Sequence, residues 1–275
     1  MQKHYATALT IAGSDSSGGA GIQADLKTFS ALGVFGMSAI TAVTAQNTLG
    51  VRAIQTMDAQ ILKSQIEAVF DDIEINAVKI GMLHSPEIVK VVANCINKYA
   101  PKYVILDPVM VTSSGDSLIK NETIDKIKQL LYSRSSLITP NLSEAEILSG
   151  IKIKTEDEMI RAGQILLNEG CNGVLIKGGH LTGNQKTDIL LIKGKEPMLF
   201  SDKYIPSKNT HGTGCTLSSA IAAYLSLGRP MEDAVKEAKL FVTKAIETGA
   251  GITTGHGHGP LNHFFDPKKL TPCQL

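Results

Sequence analysis

The sequence predicts an α/β fold with an open, mostly parallel twisted sheet that carries helices on both faces. Short apolar runs alternate with amphipathic segments along the 275 residues, as expected when parallel strands are buried on both sides. A barrel of eight parallel strands is the alternative architecture at this length. Six runs have the length and composition of buried strands: 6–12, 37–43, 77–80, 103–106, 137–139 and 174–177.

The segments between these strands show helical periodicity. Apolar residues recur every three or four positions in 58–70, 86–99 and 231–247, which places them on one face of a helix. Thr155 followed by Glu158 forms a capping-box pattern and predicts the start of a further helix. We therefore expect helices to cover both faces of the sheet.

A turn in the C-terminal third favours the open sheet over the barrel. Residues 187–192 and 196–201 are predicted as two strands of a hairpin around Lys193-Gly194-Lys195, because two β-rich runs flank a short turn that contains glycine. A hairpin adds antiparallel strands, which suit the edge of a mixed open sheet. The predicted sheet therefore has a short antiparallel edge.

Composition and charge narrow the class of protein. The chain is 43% hydrophobic and 19% charged, as is usual for a globular protein. Its net charge of +1 argues against a nucleic-acid partner, and the absence of an apolar run of 18 residues argues against a membrane span. No linker-like run divides the sequence, so we expect one domain over residues 1–275. Four widely spaced cysteines predict a reduced, cytoplasmic protein.

Ligands of open parallel sheets bind beyond the carboxyl ends of the strands. Glycine, amide and carboxylate residues dominate these positions here. They include Gly13, Gln46, Asn47, Gly81, Met82, Asp107, Asn141 and Gly178. The sequence therefore predicts a polar ligand site at this edge of the sheet.

Two glycine-rich segments flank predicted helices. Residues 13–21 read GSDSSGGAG, which lacks the Gly-Lys-Ser/Thr ending of a P-loop but lets the backbone approach a ligand closely; a flexible turn is the alternative. Residues 209–216 read NTHGTGCT and open a helix, where free N–H groups and the helix dipole favour an anion. Cys215 lies in its first turn, where we expect a lowered thiol pKa; a buried structural cysteine is the alternative.

Carboxylates at the strand ends predict a magnesium site. Asp107 follows one strand and Glu144 lies shortly after another, and Mg²⁺ usually takes one or two protein carboxylates together with phosphates. The alternatives are a turn residue for Asp107 and a first-turn acid that complements the helix dipole for Glu144. Lys177 ends an apolar strand, where its charge can also simply extend into solvent.

Three histidines near the C-terminus form a weaker pattern. His256, His258 and His263 suggest a metal site at first sight, but they lie in a glycine-rich stretch without partner acids. We expect them to be solvated or bonded to the backbone.

Several motifs occur together along the chain: AGSDSSGGAGIQADLK (12–27), AQNT (45–48), LDPVM (106–110), ITPNLSEAE (138–146), KGGH (177–180) and HGTGC (211–215). In this combination the sequence resembles the hydroxymethylpyrimidine/phosphomethylpyrimidine kinases of thiamine biosynthesis, in the ribokinase superfamily. The resemblance implies a ribokinase-like α/β fold and two successive ATP-dependent phosphorylations. They convert 4-amino-5-hydroxymethyl-2-methylpyrimidine to its monophosphate and then to its diphosphate.

The resemblance also implies roles for individual residues. Those expected to line the pyrimidine pocket are Gly13, Asp25, Gln46, Met82 and Val109. Those expected to form the anion hole, with Cys215 as the group that orients or deprotonates the hydroxymethyl, are Gly212, Thr213 and Gly214. Those expected on the Mg–ATP side are Asp107, Asn141, Glu144, Lys177 and Lys239, with Asp107 and Glu144 as the Mg²⁺ ligands.

The chemistry of Gln46 and Asp25 agrees with the implied substrate. An aminopyrimidine edge presents a donor beside a ring acceptor, and the amide of Gln46 offers the complementary pair. Asp25 is expected to accept a hydrogen bond from the exocyclic amine. Many relatives carry Lys where this chain has Ser113, so Lys177 or Lys239 is expected to compensate. Segments 13–21 and 110–117 are candidate lids.

Two other functions remain open at this point. Pyridoxal and pyridoxine kinases share the Gly-Thr-Gly-Cys pattern, and a catalytically silent pyrimidine-binding regulator would keep the pocket without transfer. Relatives of this kind are commonly homodimers, and we expect the same here. The sequence does not say whether K⁺ assists ATP and Mg²⁺.

Overall fold

An eight-stranded mixed sheet lies between two layers of helices. The computed structural model describes residues 4–110, 119–179 and 185–273. The strands are β1 (His4–Tyr5), β2 (Thr7–Ala12), β3 (Phe35–Ile40), β4 (Ala42–Asn47), β5 (Gly50–Thr56), β6 (Ala77–Ile80), β7 (Tyr103–Leu106), β8 (Leu137–Ile138), β9 (Gly173–Ile176), β10 (Gln185–Ile192), β11 (Met198–Lys203) and β12 (Pro272–Cys273). The helices are α1 (Gly21–Ala31), α2 (Ala59–Phe70), α3 (Pro86–Tyr99), α4 (Asn121–Leu131), α5 (Leu142–Ser149), α6 (Glu156–Asn168), α7 (Thr213–Ser226) and α8 (Met231–Gly249).

The strand order confirms the open sheet and excludes the barrel. The order is β11-β10-β9-β8-β7-β6-β2-β3, with β11 and β3 at opposite edges. Six neighbouring strands of this sheet run parallel to one another: β3, β2, β6, β7, β8 and β9. Strand β10 pairs antiparallel with both β9 and β11. The predicted hairpin therefore forms the antiparallel edge.

One predicted strand is divided in the structure. The apolar run 37–43 was expected to be a single strand, but β3 ends at Ile40 and β4 begins at Ala42. Between them, the amide of Thr41 donates to the carbonyl of Ala12 and its hydroxyl donates to the carbonyl of Met82. These bonds turn the chain out of the sheet, and β4 pairs with β5 in a separate two-stranded hairpin. That hairpin was not predicted.

Helix starts follow the expected local chemistry. Helix α3 begins at Pro86 as predicted, and Thr155 and Glu158 form the predicted capping box at the start of α6. Helices α2 to α6 contribute to the apolar core on one face of the sheet. Helices α1, α7 and α8 contribute to the core on the other face. Within the described ranges, no helix has both the length and the apolar character that a membrane crossing requires.

Helix α7 is buried on nearly all sides, which fixes where it begins. Its alanines Ala220, Ala222 and Ala223 are fully buried, and their small side chains let the helix lie directly on β2, β6 and β7 while α1 and α8 pack against it. Its N-terminus therefore lies at the carboxyl ends of the central strands, which is where open α/β sheets bind ligands.

Candidate active site

The two glycine-rich segments, distant in sequence, lie in contact with each other. A Cβ atom at Gly212 would lie 1.8 Å from the carbonyl oxygen of Gly19, and one at Gly19 would lie 2.4 Å from Cδ2 of His211. Gly212 also has a φ of +84°, which side chains disfavour. These glycines therefore serve close packing between segments 13–21 and 209–216.

Asp15 organises the first segment. Its carboxylate accepts hydrogen bonds from the amides of Ser17, Gly19 and Ala20, and its Oδ2 lies 2.8 Å from Nε2 of His211. Burial alone would raise its pKa, but the bonds from His211 and Ser17 hold the pKa of Asp15 far below its usual range. Asp15 follows the first predicted strand but was not predicted to be a site residue. The bond from Ser17 to Asp15 could be expected from sequence, because an acid two residues before a serine is typical of a local turn. The bond between Asp15 and His211 joins distant segments and could not be predicted.

The start of α7 offers an anion site. Gly212 is its N-cap residue and has no side chain to cap the helix, while the amide of Thr213 donates to the carbonyl of Thr210 at 3.2 Å. The first N–H groups of a helix lack intrahelical acceptors, and the helix dipole favours a negative charge beside them. A Cβ atom at Gly214 would lie 3.3 Å from Nζ of Lys177, so a cation lies next to this turn. Gly212, Thr213 and Gly214 thus occupy the place expected of an anion hole.

Cys215 differs from its predicted ionisation. It is half-buried in the first turn of α7, and burial raises its pKa to about 11. The charges of Asp25 and Asp107 also raise the pKa, and they oppose the lowering effect of Lys79. The expected drop in pKa was wrong, because desolvation and two carboxylates outweigh the helix dipole. The thiol is therefore protonated at neutral pH.

Lys177 and Asp107 form an ion pair beside the anion site. Nζ of Lys177 lies 3.0 Å from Oδ1 of Asp107, which also accepts a hydrogen bond from Thr139. The other oxygen, Oδ2, accepts a bond from Ser218 of α7. Burial would raise the pKa of Asp107, but the charges of Lys177 and Lys79 hold it below its usual value. The pair therefore presents a cation and a carboxylate where phosphates are expected.

Asp25 lies deeper than predicted. Its oxygens lie 2.8 and 3.0 Å from Nζ of Lys79 and accept bonds from Thr10 and Ser219, each at 2.6 Å. Asp25 and Lys79 are both fully buried, so the carboxylate faces Lys79 rather than the cleft, which corrects the expected contact with a substrate amine. Lys79 was missed, although a lysine inside the apolar strand 77–80 is an unusual signal.

Asn141 and Glu144 cap their own helix. The amide of Glu144 donates to Oδ1 of Asn141, and Oε2 of Glu144 accepts a bond from the amide of Asn141. Glu144 is thus a first-turn acid of α5, which was the alternative considered for it in the sequence. Burial, together with the charge of Asp107, raises the pKa of Glu144 to about 7. The backbones of Asn141 and Lys177 also form an isolated parallel β-bridge. This bridge connects the start of α5 to the Lys177–Asp107 pair.

These carboxylates fit magnesium only together with phosphate. In the described ranges, His, Cys, Asp and Glu side chains form no group of three or more that could hold a metal. The bonds of Asp107 to Lys177, Thr139 and Ser218 leave it little free coordination capacity. Mg²⁺ keeps several waters and often takes only one or two carboxylates beside phosphate oxygens. The donor set therefore suits a cation that arrives with a nucleotide.

Most residues expected at the heterocycle lie at the same sheet edge. A Cβ atom at Gly13 would lie 2.6 Å from Cε of Met82, so these two residues are in contact. Gln46 comes from the unpredicted hairpin, where Thr44 donates to its Oε1 at 3.3 Å. The amide of Val109 donates to the carbonyl of Asp107. The structure thus arranges Gly13, Met82, Gln46 and Val109 around the carboxyl ends of β2, β6 and β7.

Lys239 lies further away. Its Nζ contacts Oδ2 of Asp188 at 2.6 Å and Asp202 at 3.3 Å, both on the β10–β11 hairpin. Asp188 in turn accepts a bond from the amide of Gly178, so Lys239 is linked to the site through the residue next to Lys177. Ser113, His180 and all of the candidate lid 110–117 except Met110 lie outside the described residues.

The C-terminal histidines do not assemble. His256 and His258 are exposed. His263 is buried, its Nε2 lies 2.9 Å from the hydroxyl of Thr216, and burial lowers its pKa to about 4. The expectation of solvated or backbone-bonded histidines fits the exposed His256 and His258, whereas Nε2 of His263 contacts the side chain of Thr216.

An open α/β sheet whose helix start has no side-chain cap, with a neighbouring lysine and an amide-bearing hairpin, fits a small-molecule kinase. Residues 15–262 match the family described as phosphomethylpyrimidine kinase, and the chain belongs to this family. It is 48% identical over 257 residues to the hydroxymethylpyrimidine/phosphomethylpyrimidine kinase of Bacillus subtilis (strain 168), covering 94% of each chain.

Solved structures agree with this family assignment. The phosphomethylpyrimidine kinase from Clostridium difficile 630 superposes with a TM-score of 0.78 at 50% identity, over 87% of this chain and 99% of that one. The pyridoxal kinase from Staphylococcus aureus in complex with AMP-PCP and pyridoxal superposes with a TM-score of 0.86 at 31% identity, over 98% of both chains.

We expect Glu144→Gln to change how stability depends on pH. Unfolded Glu144 loses its proton near its ordinary pKa of about 4.3, whereas the folded protein holds the proton up to about pH 7. Glu144 therefore lowers the free energy of unfolding as pH rises through this window, by at most about 4 kcal/mol. Denaturant titrations at pH 5 and pH 8 should show that the variant gains stability relative to wild type at pH 8. An equal difference at both pH values would contradict this.

Proposed function

We propose that this kinase phosphorylates 4-amino-5-hydroxymethyl-2-methylpyrimidine to its monophosphate and then to its diphosphate, with ATP as donor, in thiamine biosynthesis. One observation carries the proposal. The start of α7 lies beside the Lys177–Asp107 pair, and the residue just before its N-cap, His211, contacts Gln46 of the β4–β5 hairpin. Relatives at 40–48% identity are hydroxymethylpyrimidine/phosphomethylpyrimidine kinases, which supports the same substrates.

Phosphoryl transfer requires positioning and charge neutralisation more than covalent chemistry. In the proposed reaction, the amides at the start of α7 bind the migrating phosphoryl group, and Lys177 neutralises charge that develops on its oxygens. Asp107 and Glu144 would hold Mg²⁺ mainly through phosphate oxygens and water, and the ion would supply further charge neutralisation. Asp107 also keeps Lys177 directed at the phosphate through their ion pair.

Gln46 is proposed to recognise the heterocycle. Its amide presents a donor and an acceptor, which match the amine and ring nitrogen of an aminopyrimidine. Asp25 is proposed to support the anion site from inside the core and not to contact the substrate. Its bond to Ser219 of α7 holds the start of that helix against β2 and β6. Lys239 is proposed to support the nucleotide side through Asp188 and Gly178.

We expect Cys215→Ala to slow the first phosphorylation more than the second. The protonated thiol can orient the neutral hydroxymethyl group by a hydrogen bond. The second acceptor is an already anionic phosphate oxygen that needs little help from a base. Separate assays from the alcohol and from the monophosphate should show a loss in kcat at least about tenfold larger for the alcohol. Equal losses in both steps would refute the separation of roles.

Pyridoxal or pyridoxine is the second candidate substrate. The Staphylococcus aureus structure that superposes on this chain is a pyridoxal kinase with pyridoxal bound, and a shared fold permits dual activity. Comparing kcat/KM for the pyrimidine alcohol and for pyridoxine under saturating Mg–ATP measures the preference. The amide of Gln46 predicts the pyrimidine as the better substrate.

A coupled ATP assay with the pyrimidine alcohol tests the proposed function. Mass analysis of the products should show the monophosphate first and the diphosphate later. ATP consumption only with pyridoxine would favour the second candidate. Tight binding of the pyrimidine without ATP consumption would favour a silent regulator. Repeating the assay with and without K⁺ measures any requirement for a monovalent cation.

We further infer a homodimer that works in the cytoplasm. Cys95, Cys171 and Cys215 are free thiols, as expected in a reducing compartment, and kinases of this kind are commonly dimeric. Analytical ultracentrifugation should give about twice the mass of the 29.3 kDa chain. A single species at the monomer mass would contradict the dimer.

A further inference from the structure

Asp15 and His211 form a buried pair at the junction between the β4–β5 hairpin, which carries Gln46, and the start of α7. Nε2 of His211 lies 2.8 Å from Oδ2 of Asp15, and both residues are more than nine-tenths buried. The histidine ring closes against Gly19, where a Cβ atom would lie 2.4 Å from the ring. The glycine contact therefore fixes the orientation of the ring, and the Asp15 carboxylate holds Nε2 of His211 towards itself.

Three separate parts of the chain meet at this histidine. The side-chain nitrogen of Gln46, on the β4–β5 hairpin, lies 3.4 Å from Nε2 of His211. Because Nε2 donates its proton to Asp15, this contact positions Gln46 by packing and not by a hydrogen bond. The backbone amide of His211 donates to the carbonyl of Gly259. The next residue, Gly212, is the N-cap of α7. A displacement of the His211 ring would therefore change the position of Gln46 relative to the start of α7.

A second connection supports the same junction. Thr48, at the turn of the β4–β5 hairpin, accepts bonds from the amides of Gly257 and His258. A Cβ atom at Gly257 would lie 2.0 Å from the carbonyl oxygen of Thr48, so the segment 255–259 packs closely on the hairpin. This segment also reaches Asn209, whose Oδ1 would lie 2.0 Å from a Cβ atom at Gly259. The hairpin is thus connected to the residues that precede α7 both through His211 and through the segment 255–259.

We propose that the Asp15–His211 pair is a positioning unit that holds Gln46 at the correct distance and orientation from the anion site. It thereby sets the preference for an aminopyrimidine over a pyridine alcohol. Recognition of the aminopyrimidine requires the Gln46 amide in one orientation, whereas a pyridine alcohol has no amine beside its ring nitrogen and gains less from that orientation. This inference rests on the proposed function.

Two substitutions of His211 separate positioning from simple packing. In His211→Gln, the side-chain nitrogen can reach the place of Nε2 and donate to Asp15. In His211→Asn, the side chain is too short to reach it. His258→Leu is the matched control, because His258 is exposed on the neighbouring segment and only its backbone amide contacts the hairpin. Melting curves of all three variants measure how well each one folds.

The expected result is a change in substrate preference. For His211→Asn, KM for the pyrimidine alcohol should rise about tenfold, with KM for ATP unchanged, and the kcat/KM ratio of pyrimidine over pyridoxine should fall about tenfold. His211→Gln should restore most of that ratio, and His258→Leu should match wild type. Equal losses on both alcohols, or identical ratios in the Asn and Gln variants, would overturn the inference. Wild type that turns over no pyrimidine alcohol would instead refute the proposed function.

Discussion

Gly212→Ala should abolish most of the kinase activity. Gly212 has a φ of +84°, and a Cβ atom there would lie 1.8 Å from the carbonyl oxygen of Gly19. The left-handed conformation alone costs an alanine about 1–2 kcal/mol, and the contact forces the two glycine segments apart. Displacing catalytic groups by about 1 Å can cost a factor of about 100. We therefore expect kcat/KM for the pyrimidine alcohol to fall at least about 100-fold.

Gly228→Ala is the matched control for this prediction. Gly228 follows the other end of α7 with a φ of +85°, but a Cβ atom there would meet nothing within 4 Å. The substitution should reduce the free energy of unfolding by about 1–2 kcal/mol and leave kcat/KM unchanged. Equal activity in the two alanine variants would show that contact between the glycine segments is not required for transfer.

Lys79→Met should cause the largest loss of stability. The ion pair with Asp25 is fully buried, and although burial lowers the pKa of Lys79, the charge of Asp25 raises it well above its usual value. Removing the lysine leaves an uncompensated carboxylate in the core. Breaking such a pair typically costs about 3–5 kcal/mol. Denaturant titrations should show a loss of this size, with a lower kcat because Asp25 also holds Ser219 of α7.

The double variant Asp25→Asn/Lys79→Met isolates the charge from the packing. Asparagine keeps an acceptor for Thr10 and Ser219, and no charge remains buried, so at least half of the lost stability should return. Lys98→Met provides the surface comparison, since its pair with Glu67 has a similar distance of 2.9 Å but a lysine side chain that is 55% exposed. It should cost less than about 1 kcal/mol. A double variant no more stable than Lys79→Met would contradict the account.

Local patterns were enough to predict most of the sheet. Strands 77–80 and 103–106 have the predicted bounds because their apolar runs are short and end at Gly81 and Asp107. The same pattern placed the ligand site at the correct sheet edge, since parallel strands bring their carboxyl ends together. The same pattern failed at 37–43, because apolar residues occur on both sides of Thr41 while the backbone leaves the main sheet there and pairs with β5 instead.

The parts of the site that were missed depend on long-range partners. Asp15 and His211 are 196 positions apart, and Asp25 and Lys79 are 54 apart, so no local pattern shows which partner each residue has. The sign of the Cys215 pKa shift was wrong for the same reason. A position in the first turn of a helix could be read from sequence, whereas the desolvation and the two carboxylates around the thiol come from distant segments.

A crystal structure with AMP-PCP and the pyrimidine alcohol tests the central claim most directly. The account predicts that the terminal phosphate contacts the backbone amides at the start of α7 and that the ring lies against the amide of Gln46. The hydroxymethyl oxygen should then lie between Cys215 and that phosphate. A terminal phosphate bound away from residues 212–215, or a ring bound outside the cleft between Gln46 and Met82, would contradict it.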